Sequence, residues 1–415
     1  MSYLKVLSKK IEERSAIVGI IGIGYVGGAL AQGSASRGFK TIGFTRRESR
    51  AKEINDAQIK NYTATTEIDK LSECDIVCIC VPTPIHEDKS PDLEPLENSL
   101  INTAKYLKKG TLVIIESTIA PGMTRNFALP ILKTSGLREE NEFFVSFSPE
   151  RVDPGNKKYT IFNTPKVVSG LSNEALSLTS SFYKCFIKEI VPVSSLEAAE
   201  MSKMLENTFR LVNISLSNEL LNYTDVLGID LWEVITASST KPFGFMAHYP
   251  GPGIGGHCIP VDPYYLLADA KKRGISLGIV EAAGNVNDEQ PKKIVKKTLD
   301  ILKSTNGVKQ NHSALVIGVS YKENVADKRE SPSLKIRELL RENNVQVSYH
   351  DPYIPSLDDE QSVDITEPTI QDIDIIIIAT SHSNIDYDSL VSYNKPILDT
   401  RNILKNHTAP HIFRI

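Results

Sequence analysis

No stretch of this 415-residue chain approaches the ~18 consecutive apolar residues of a membrane-spanning helix. The opening run MSYLKVLSKKIEERSA lacks the apolar core of a signal peptide and reads as a short amphipathic helix before the first strand. Basic excess is missing as well. With a net charge of −4 and a pI near 6.1, no face is expected to neutralise a nucleic-acid backbone. The five cysteines (Cys74, Cys78, Cys80, Cys185, Cys258) are odd in number, with no CxxC pair and no zinc spacing. That excludes a disulfide framework and gives no metal site, so a reducing, cytoplasmic setting is expected. Cys78 and Cys80 stand two apart in DIVCICV and read as core filling on one face of a buried strand. What remains is ordinary globular material, 41% apolar and 24% charged, too long for one core and expected to form two or three domains.

Residues 17–27, IVGIIGIGYVG, run an apolar strand into Gly22-x-Gly24-x-x-Gly27. A helix of small residues and a second strand, KTIGFT, follow. Strand, glycine motif, helix and strand in this order within about 30 residues specify a dinucleotide-binding unit; the bare motif would not. Gly22, Gly24, Tyr25, Val26 and Gly27 are therefore candidate cofactor contacts. An acidic residue for the ribose hydroxyls is absent from the end of the second strand. Thr45 stands there, followed by Arg46, Arg47 and, after two residues, Arg50. A hydroxyl with arginines suits the 2′-phosphate of NADP. The alternative is surface arginines stacked on adenine, so NAD and NADP both stay open.

Each later strand of the first half ends in a polar group, where open parallel sheets bind ligands. Thr83 follows DIVCICV, Thr118 ends TLVIIES, and Glu150 ends FFVSFSPER. Residues 195–228 then contain no proline, and their only glycine, Gly228, falls where a C-cap belongs, so one long helix is expected. Leu205, Phe209, Val212, Leu216 and Leu220 give it an apolar stripe that allows dimerisation. Glu200, Lys203 and Asn207 recur on another face, and Lys203 with Asn207 would set an ammonium and an amide side by side to steady an oxyanion. An ordinary polar helix face would carry the same spacing.

The stretch GPGIGGHCIPVDP (251–263) strips side chains from a loop around Cys258. Such a loop allows backbone amides to close on a ligand beside a thiolate nucleophile. A tight turn carrying a buried, inert cysteine is the competing reading. After it helices run to about residue 305, with the Lys292, Lys293, Lys296 and Lys297 run as a solvated face and KSTNGVKQNH as a linker. A second α/β unit follows (SALVIGVSYK, SPSLKIRELLRE, VQVSYHDPY, DIDIIIIATSHS), in which Gly318 stands without a glycine triplet.

With these pieces the chain resembles the nucleotide-sugar 6-dehydrogenases, the UDP-glucose and UDP-N-acetylhexosamine dehydrogenase family, over nearly its whole length. GIGYVG, VPTP, EST (116–118), SPERVDPGN (148–156), LEAAEMSKMLENT (196–208), GPGIGGHCIPVDP and VSYKENVADKRESPS (319–333) carry the resemblance. SPERVDPGN and KPFGFMAHYPGPGIGGHCIPVDP are most similar to the branch acting on UDP-N-acetylglucosamine. The resemblance implies an α/β fold with two Rossmann-like parallel-sheet domains joined by a long central helix. Its parts are a dinucleotide-binding domain at 1–194, a central helical domain at 195–305 and a UDP-sugar-binding domain at 306–415. It implies four-electron oxidation of the sugar C6 alcohol to the uronic acid with two NAD per turnover, in a homodimer or higher homo-oligomer.

Carried over by position, Cys258 would form a thiohemiacetal and then a thioester, with Lys203 and Asn207 stabilising charge on the C6 oxygen. Asp262 with Thr118 would position water and Lys203, and Glu150 would assist proton transfer. Tyr249, Gly251, Gly253 and Gly255 would grip sugar and diphosphate, Tyr321 and Lys322 the UDP portion, and Arg401 the substrate. Arg151 beside Glu150 counts among the substrate contacts, Thr83 and Thr118 among the cofactor contacts, and Arg329 would meet the cofactor phosphates. Gly28 and Ala29 replace a Leu-Pro common in that branch. UDP-ManNAc and UDP-glucose are the alternative substrates. A two-electron hydroxyacid-type dehydrogenase has no need of Cys258, and a silent nucleotide-sugar binder would be expected to have lost Cys258, Lys203 or Asp262, all of which are present.

Overall fold

The computed structural model describes residues 2–153, 155–156, 158–307 and 311–415. Residues 308–310, inside the expected linker, and 154, inside SPERVDPGN, lie outside that set. The chain divides into two compact units, one built from residues 1–206 and 264–275, the other from 207–263 and 276–415.

In the first unit the amphipathic opening forms α1 (Tyr3–Glu12), capped by Ser2 and burying Leu7 and Ile11. The expected nucleotide unit follows as β1 (Ile17–Ile21), α2 (Tyr25–Ser36), β2 (Lys40–Phe44), α3 (Glu48–Asp56) and β3 (Tyr62–Thr65). Next come β4 (Ile76–Ile79), α4 (Glu94–Tyr106), β5 (Thr111–Ile115), α5 (Leu129–Leu132), β6 (Phe143–Phe147), β7 (Lys166–Gly170), α6 (Asn173–Lys184) and β8 (Ile190–Pro192). The strands join in one sheet in the order β3-β2-β1-β4-β5-β6-β7-β8. Strands β4, β5 and β6 are buried along their whole length, as continuous apolar runs between two helical layers must be. Pairing is parallel except between β6 and β7, which run antiparallel. Cys78 lies buried in β4, whereas Cys80 sits just past its end and is half-buried.

Helix α7 (Leu196–Leu227) is the expected long helix, 32 residues ended by Gly228 in the left-handed conformation (φ 67°). Of its stripe, Leu205, Phe209, Leu216 and Leu220 are 42–60% exposed, whereas Val212 is half-buried against Leu211, Ile254 and Ala283.

The second unit continues with α8 (Leu231–Ser238), α9 (Asp262–Lys272), whose later residues belong to the first unit, and α10 (Gly278–Asn306). Then come β9 (His312–Ile317), α11 (Pro332–Glu342), β10 (Val345–His350), the small hairpin β11 (Ser356–Leu357) and β12 (Glu360–Gln361), α12 (Glu367–Gln371), β13 (Ile375–Ile378), α13 (Tyr387–Ser392), β14 (Ile397–Asp399) and β15 (Ile412–Arg414). Five parallel strands form its sheet in the order β10-β9-β13-β14-β15. The lysine run on α10 is a solvated face laced with ion pairs to Glu289, Asp300 and Asp225.

Candidate functional site

Each unit carries one cluster of the residues singled out by sequence. In the first, Gly22 takes φ +88° to turn the chain out of β1. A side chain on Gly27 would stand 2.1 Å from the Gly22 carbonyl, so only glycine lets α2 approach the strand this closely. At Gly24 the demand is opposite, since an added Cβ would meet nothing within 4 Å. That open space at the N-terminus of α2 belongs to a cleft of about 530 Å³ lined by Gly22, Gly24, Thr45, Arg46, Arg47 and Arg50. Amides and arginines around an uncovered helix start fit a dinucleotide pyrophosphate. Arg50 is paired with Glu53 at 2.5 Å, and the Thr45 hydroxyl accepts the Arg47 amide at 3.3 Å. Tyr25 and Val26 open α2, where the Tyr25 hydroxyl accepts the Gly155 amide.

At the neighbouring strand ends, Thr83 follows β4 and is buried, Thr118 follows β5 and is half-buried, and Glu150 follows β6. The Glu150 Oε1 accepts the amides of Arg151 and Val152 at 2.8 and 2.5 Å, while its Oε2 is buried with no hydrogen-bond partner among the described residues. Arg151 has both ends of its guanidinium committed, to the Pro165 carbonyl at 2.9 Å and to Glu206 at 2.7 Å.

On α7 the polar face divides by role. Glu200 is fully buried and accepts the amides of Gly122 and Thr124, a structural cap. One turn on, Lys203 is 7% exposed, and its ammonium has no hydrogen-bond or ion-pair partner among the described residues. A nearly buried cation is costly unless an opposite charge meets it, which keeps Lys203 among the candidates for binding a negatively charged group.

In the second unit, Asn207 donates its amide to Asp262 Oδ2 at 2.5 Å, and both residues are buried. Asp262 starts α9, its amide donating to the Cys258 carbonyl at 2.8 Å, so the cysteine, the carboxylate and Asn207 are held together. Cys258 is exposed, whereas the other four cysteines are buried or half-buried. The burial that the competing reading expects is therefore not found. Arg329, bound to Asp327 at 2.6 Å, lies close enough to Cys258 to interact with it electrostatically.

The glycine loop differs from expectation in one respect. Several of its amides serve the fold: Gly251 donates to Asn218 Oδ1, Ile254 to Asn287 Oδ1 and Gly256 to the Arg329 carbonyl. Its bare positions make room for side chains. An added Cβ would lie 2.9 Å from the Arg401 guanidinium at Gly251, 2.8 Å from Tyr321 Cβ at Gly255 and 2.7 Å from the Tyr321 ring at Gly256. Gly253, at φ +131°, packs on Pro332. The glycines thus bring Tyr321 and Arg401 against the loop. Burial lowers the Arg401 pKa to about 10, with Glu323 and Asp399 opposing, so it stays charged at neutral pH. Tyr249 stacks on Trp232 at 4.9 Å, a pairing no sequence spacing announced.

The stretch 319–324, which carries Tyr321 and Lys322, is fixed by a buried group that sequence reading also missed. Asp351 accepts the amides of Val319 and Ser320 and contacts His382 Nε2 at 3.2 Å. Ser320 Oγ meets the same Nε2, while His382 Nδ1 accepts the Asn324 amide. Serine and aspartate on one ring nitrogen cannot relay a proton through the ring, so this is an anchor and not a nucleophilic triad.

Three family models of the UDP-glucose/GDP-mannose dehydrogenase family match the chain: the NAD binding domain at residues 57–187, the central domain at 197–289 and the UDP binding domain at 315–406. The chain is 33% identical to the UDP-N-acetyl-D-mannosamine dehydrogenase of Pyrococcus horikoshii, covering 96% of this chain and 98% of that one. It is 35% identical to the UDP-N-acetyl-D-glucosamine 6-dehydrogenase of Pseudomonas aeruginosa, covering 88% and 90%. The solved structure of the Pyrococcus horikoshii UDP-D-ManNAc dehydrogenase superposes with a TM-score of 0.88 at 32% identity, over 96% of this chain and 99% of that one.

Proposed function

Given that the chain belongs to the UDP-glucose/GDP-mannose dehydrogenase family of NAD-dependent oxidoreductases, we propose that it oxidises C6 of a UDP-N-acetylhexosamine to the uronic acid through a thioester on Cys258. The observation that carries this reading is the exposed Cys258 on a glycine loop, held by the Asp262 amide on its carbonyl and tied through Asp262 to the buried Asn207 of α7. Relatives acting on the mannose and glucose epimers at similar identity support the acetamido sugar as the common element. UDP-N-acetylglucosamine is the first substrate to try, with UDP-N-acetylmannosamine its rival. The division into parts at 194 and 305 belongs to the same reading and is supported by three separately matched spans.

Bound dinucleotide supplies the hydride acceptor for both oxidations, held by Gly22, Gly24 and the residues at the end of β2. The Lys203 ammonium and the Asn207 amide stabilise negative charge on the C6 oxygen. At the aldehyde stage the Cys258 thiolate adds to C6, forming a C–S bond, and the oxygen takes a proton to give the thiohemiacetal. Departure of the C6 hydride and the hydroxyl proton leaves the thioester. Water then adds to C6, the C–S bond breaks with its electrons returning to sulfur, and the acid ionises on release. Asp262 and Thr118 position the water, and Glu150 takes its proton. Tyr249, Tyr321, Lys322 and Arg401 bind the UDP-sugar in this scheme.

The arginine-rich end of β2, where Thr45, Arg46 and Arg50 line the cleft, supports acceptance of a 2′-phosphate and hence use of NADP besides NAD. The exposed stripe of α7 supports a homodimer joined along that helix. A spectrophotometric assay crossing UDP-GlcNAc, UDP-ManNAc, UDP-GalNAc and UDP-glucose with both cofactors tests the whole scheme. Two reduced cofactors per sugar are expected. One per sugar would remove the thioester stage, and kcat/KM far higher with NAD than with NADP would remove the 2′-phosphate role.

A further inference from the structure

One buried ionic cluster in the first unit has no part in the scheme above. Lys166, which opens β7, is 3% exposed, and Glu116, the first residue past β5, is 2% exposed. The Lys166 ammonium donates to Glu116 Oε2 at 2.5 Å and to the Pro149 carbonyl at 3.2 Å, and lies 5.3 Å from the centre of the Tyr183 ring. Tyr183, on α6, donates its hydroxyl to the other Glu116 oxygen. Burial disfavours charge on Lys166, yet the carboxylates of Glu116 and Glu150 outweigh it and keep the ammonium protonated above the ordinary lysine range. The nearby thiols of Cys78 and Cys80 are pushed upward by burial and stay neutral.

Such a pair is a poor stabiliser. Desolvating two ions costs several kcal/mol each, and apolar residues of similar volume commonly serve packing as well or better. What it joins is informative. Glu116 stands two residues before Thr118, and Pro149 is the residue before Glu150, so one buried ammonium ties together the two strand-end loops that carry these groups. Within its loop Glu150 has one oxygen fixed by two amides and one buried oxygen without a hydrogen-bond partner among the described residues.

We propose that Lys166, with Glu116 and Tyr183 behind it, is a positioning residue that fixes the loops of Thr118 and Glu150 for the water step. This rests on the thioester reading above. In that step water oxygen bonds to the thioester carbon, its proton passes to the second Glu150 oxygen, and the C–S bond breaks to release the Cys258 thiolate and the acid. Lys166 touches neither water nor sugar; it sets where Glu150 and Thr118 stand.

The test is the volume-conserving double variant Lys166→Met with Glu116→Gln, which removes both charges of the pair together. Its melting temperature, steady-state kinetics and the mass of acid-quenched enzyme during turnover are compared with the parent. The expected result is a folded protein with UDP-sugar KM within about twofold, kcat lowered on the order of tenfold or more, and a sugar adduct accumulating on Cys258. A folded double variant with parental kcat and no adduct overturns the proposal. Should the double variant not fold, Lys166→Arg decides, because a planar guanidinium keeps the charge but not the ammonium's geometry toward Glu116 and Pro149. Adduct accumulation at unchanged KM then supports the proposal, and parental turnover overturns it. Failure of the underlying thioester reading shows separately, in the parent enzyme yielding one reduced cofactor per sugar or in Glu150→Gln turning over at the parental rate.

Discussion

Asp351→Asn removes one buried carboxylate charge while conserving shape. Oδ2 accepts the amides of Val319 and Ser320 at 2.8 and 2.9 Å, and Oδ1 those of Tyr353 and Ile354 at 2.8 and 3.1 Å. Burial alone would raise this carboxyl, but the hydrogen bonds from His382 and from the Ser320 and Tyr353 amides outweigh it and hold the pKa at about 2, against 3.8 ordinarily. At 1.36 kcal/mol per unit, that difference is on the order of 2 kcal/mol. Asparagine must turn its NH₂ toward one pair of amides, and each buried donor left facing a donor costs ~1–3 kcal/mol. A loss of about 3 kcal/mol in the stability of the second unit is therefore expected at neutral pH. The sign with pH follows from the depressed value. The carboxylate's contribution is fully present above the ordinary 3.8 and disappears as pH falls through about 2, so the gap between parent and variant should narrow over that window. Urea unfolding followed by the single tryptophan, Trp232, which lies in this unit, reads it directly. Because Asp351 anchors the residues next to Tyr321 and Lys322, the UDP-sugar KM should rise while kcat changes less. A variant within about 0.5 kcal/mol of the parent at neutral pH, or a gap that stays constant down to the acid end, would refute this account of the anchor.

Three further outcomes are expected from the cysteine loop and from α7. Cys258→Ser should abolish uronate production while leaving nucleotide binding nearly intact by calorimetry; sustained uronate formation would remove the covalent route. Lys203→Ala should lower kcat ~10²–10³-fold with a far smaller effect on KM, since its charge is needed when the C6 oxygen becomes negative; a change confined to KM would make it a binding residue only. Gly256→Ala should weaken UDP-sugar binding at least about tenfold in a titration, because the position has φ +89° and the new Cβ would lie 2.7 Å from the Tyr321 ring; wild-type affinity would show that the loop yields freely.

The parts legible in the sequence are those whose cause is local. Gly22, Gly24 and Gly27 announce the turn, the open helix start and the close helix–strand approach because each demand falls on a residue three positions or fewer from the next. Helix α7 was legible from its unbroken 3.6-residue period, and its end from Gly228, whose left-handed φ is the reason for a glycine there. Cys258 was legible as a residue but not as an exposed one, since its exposure depends on how the loop packs against Tyr321 and Arg401. Spacing on α7 gave Glu200, Lys203 and Asn207 equal standing. Only packing separates the cap Glu200 from Lys203, because the amides that satisfy Glu200 come from Gly122 and Thr124, more than seventy residues away. The same reason hid the Asn218 and Asn287 supports of the glycine loop, the Asp351 anchor and the Glu116–Lys166 pair, all partnered across long sequence separations. Chemistry-bearing groups sit on short signatures because turns and strand ends must be built from particular residues. The groups that hold them in place can come from anywhere the fold brings close, and a chain read in order does not mark them.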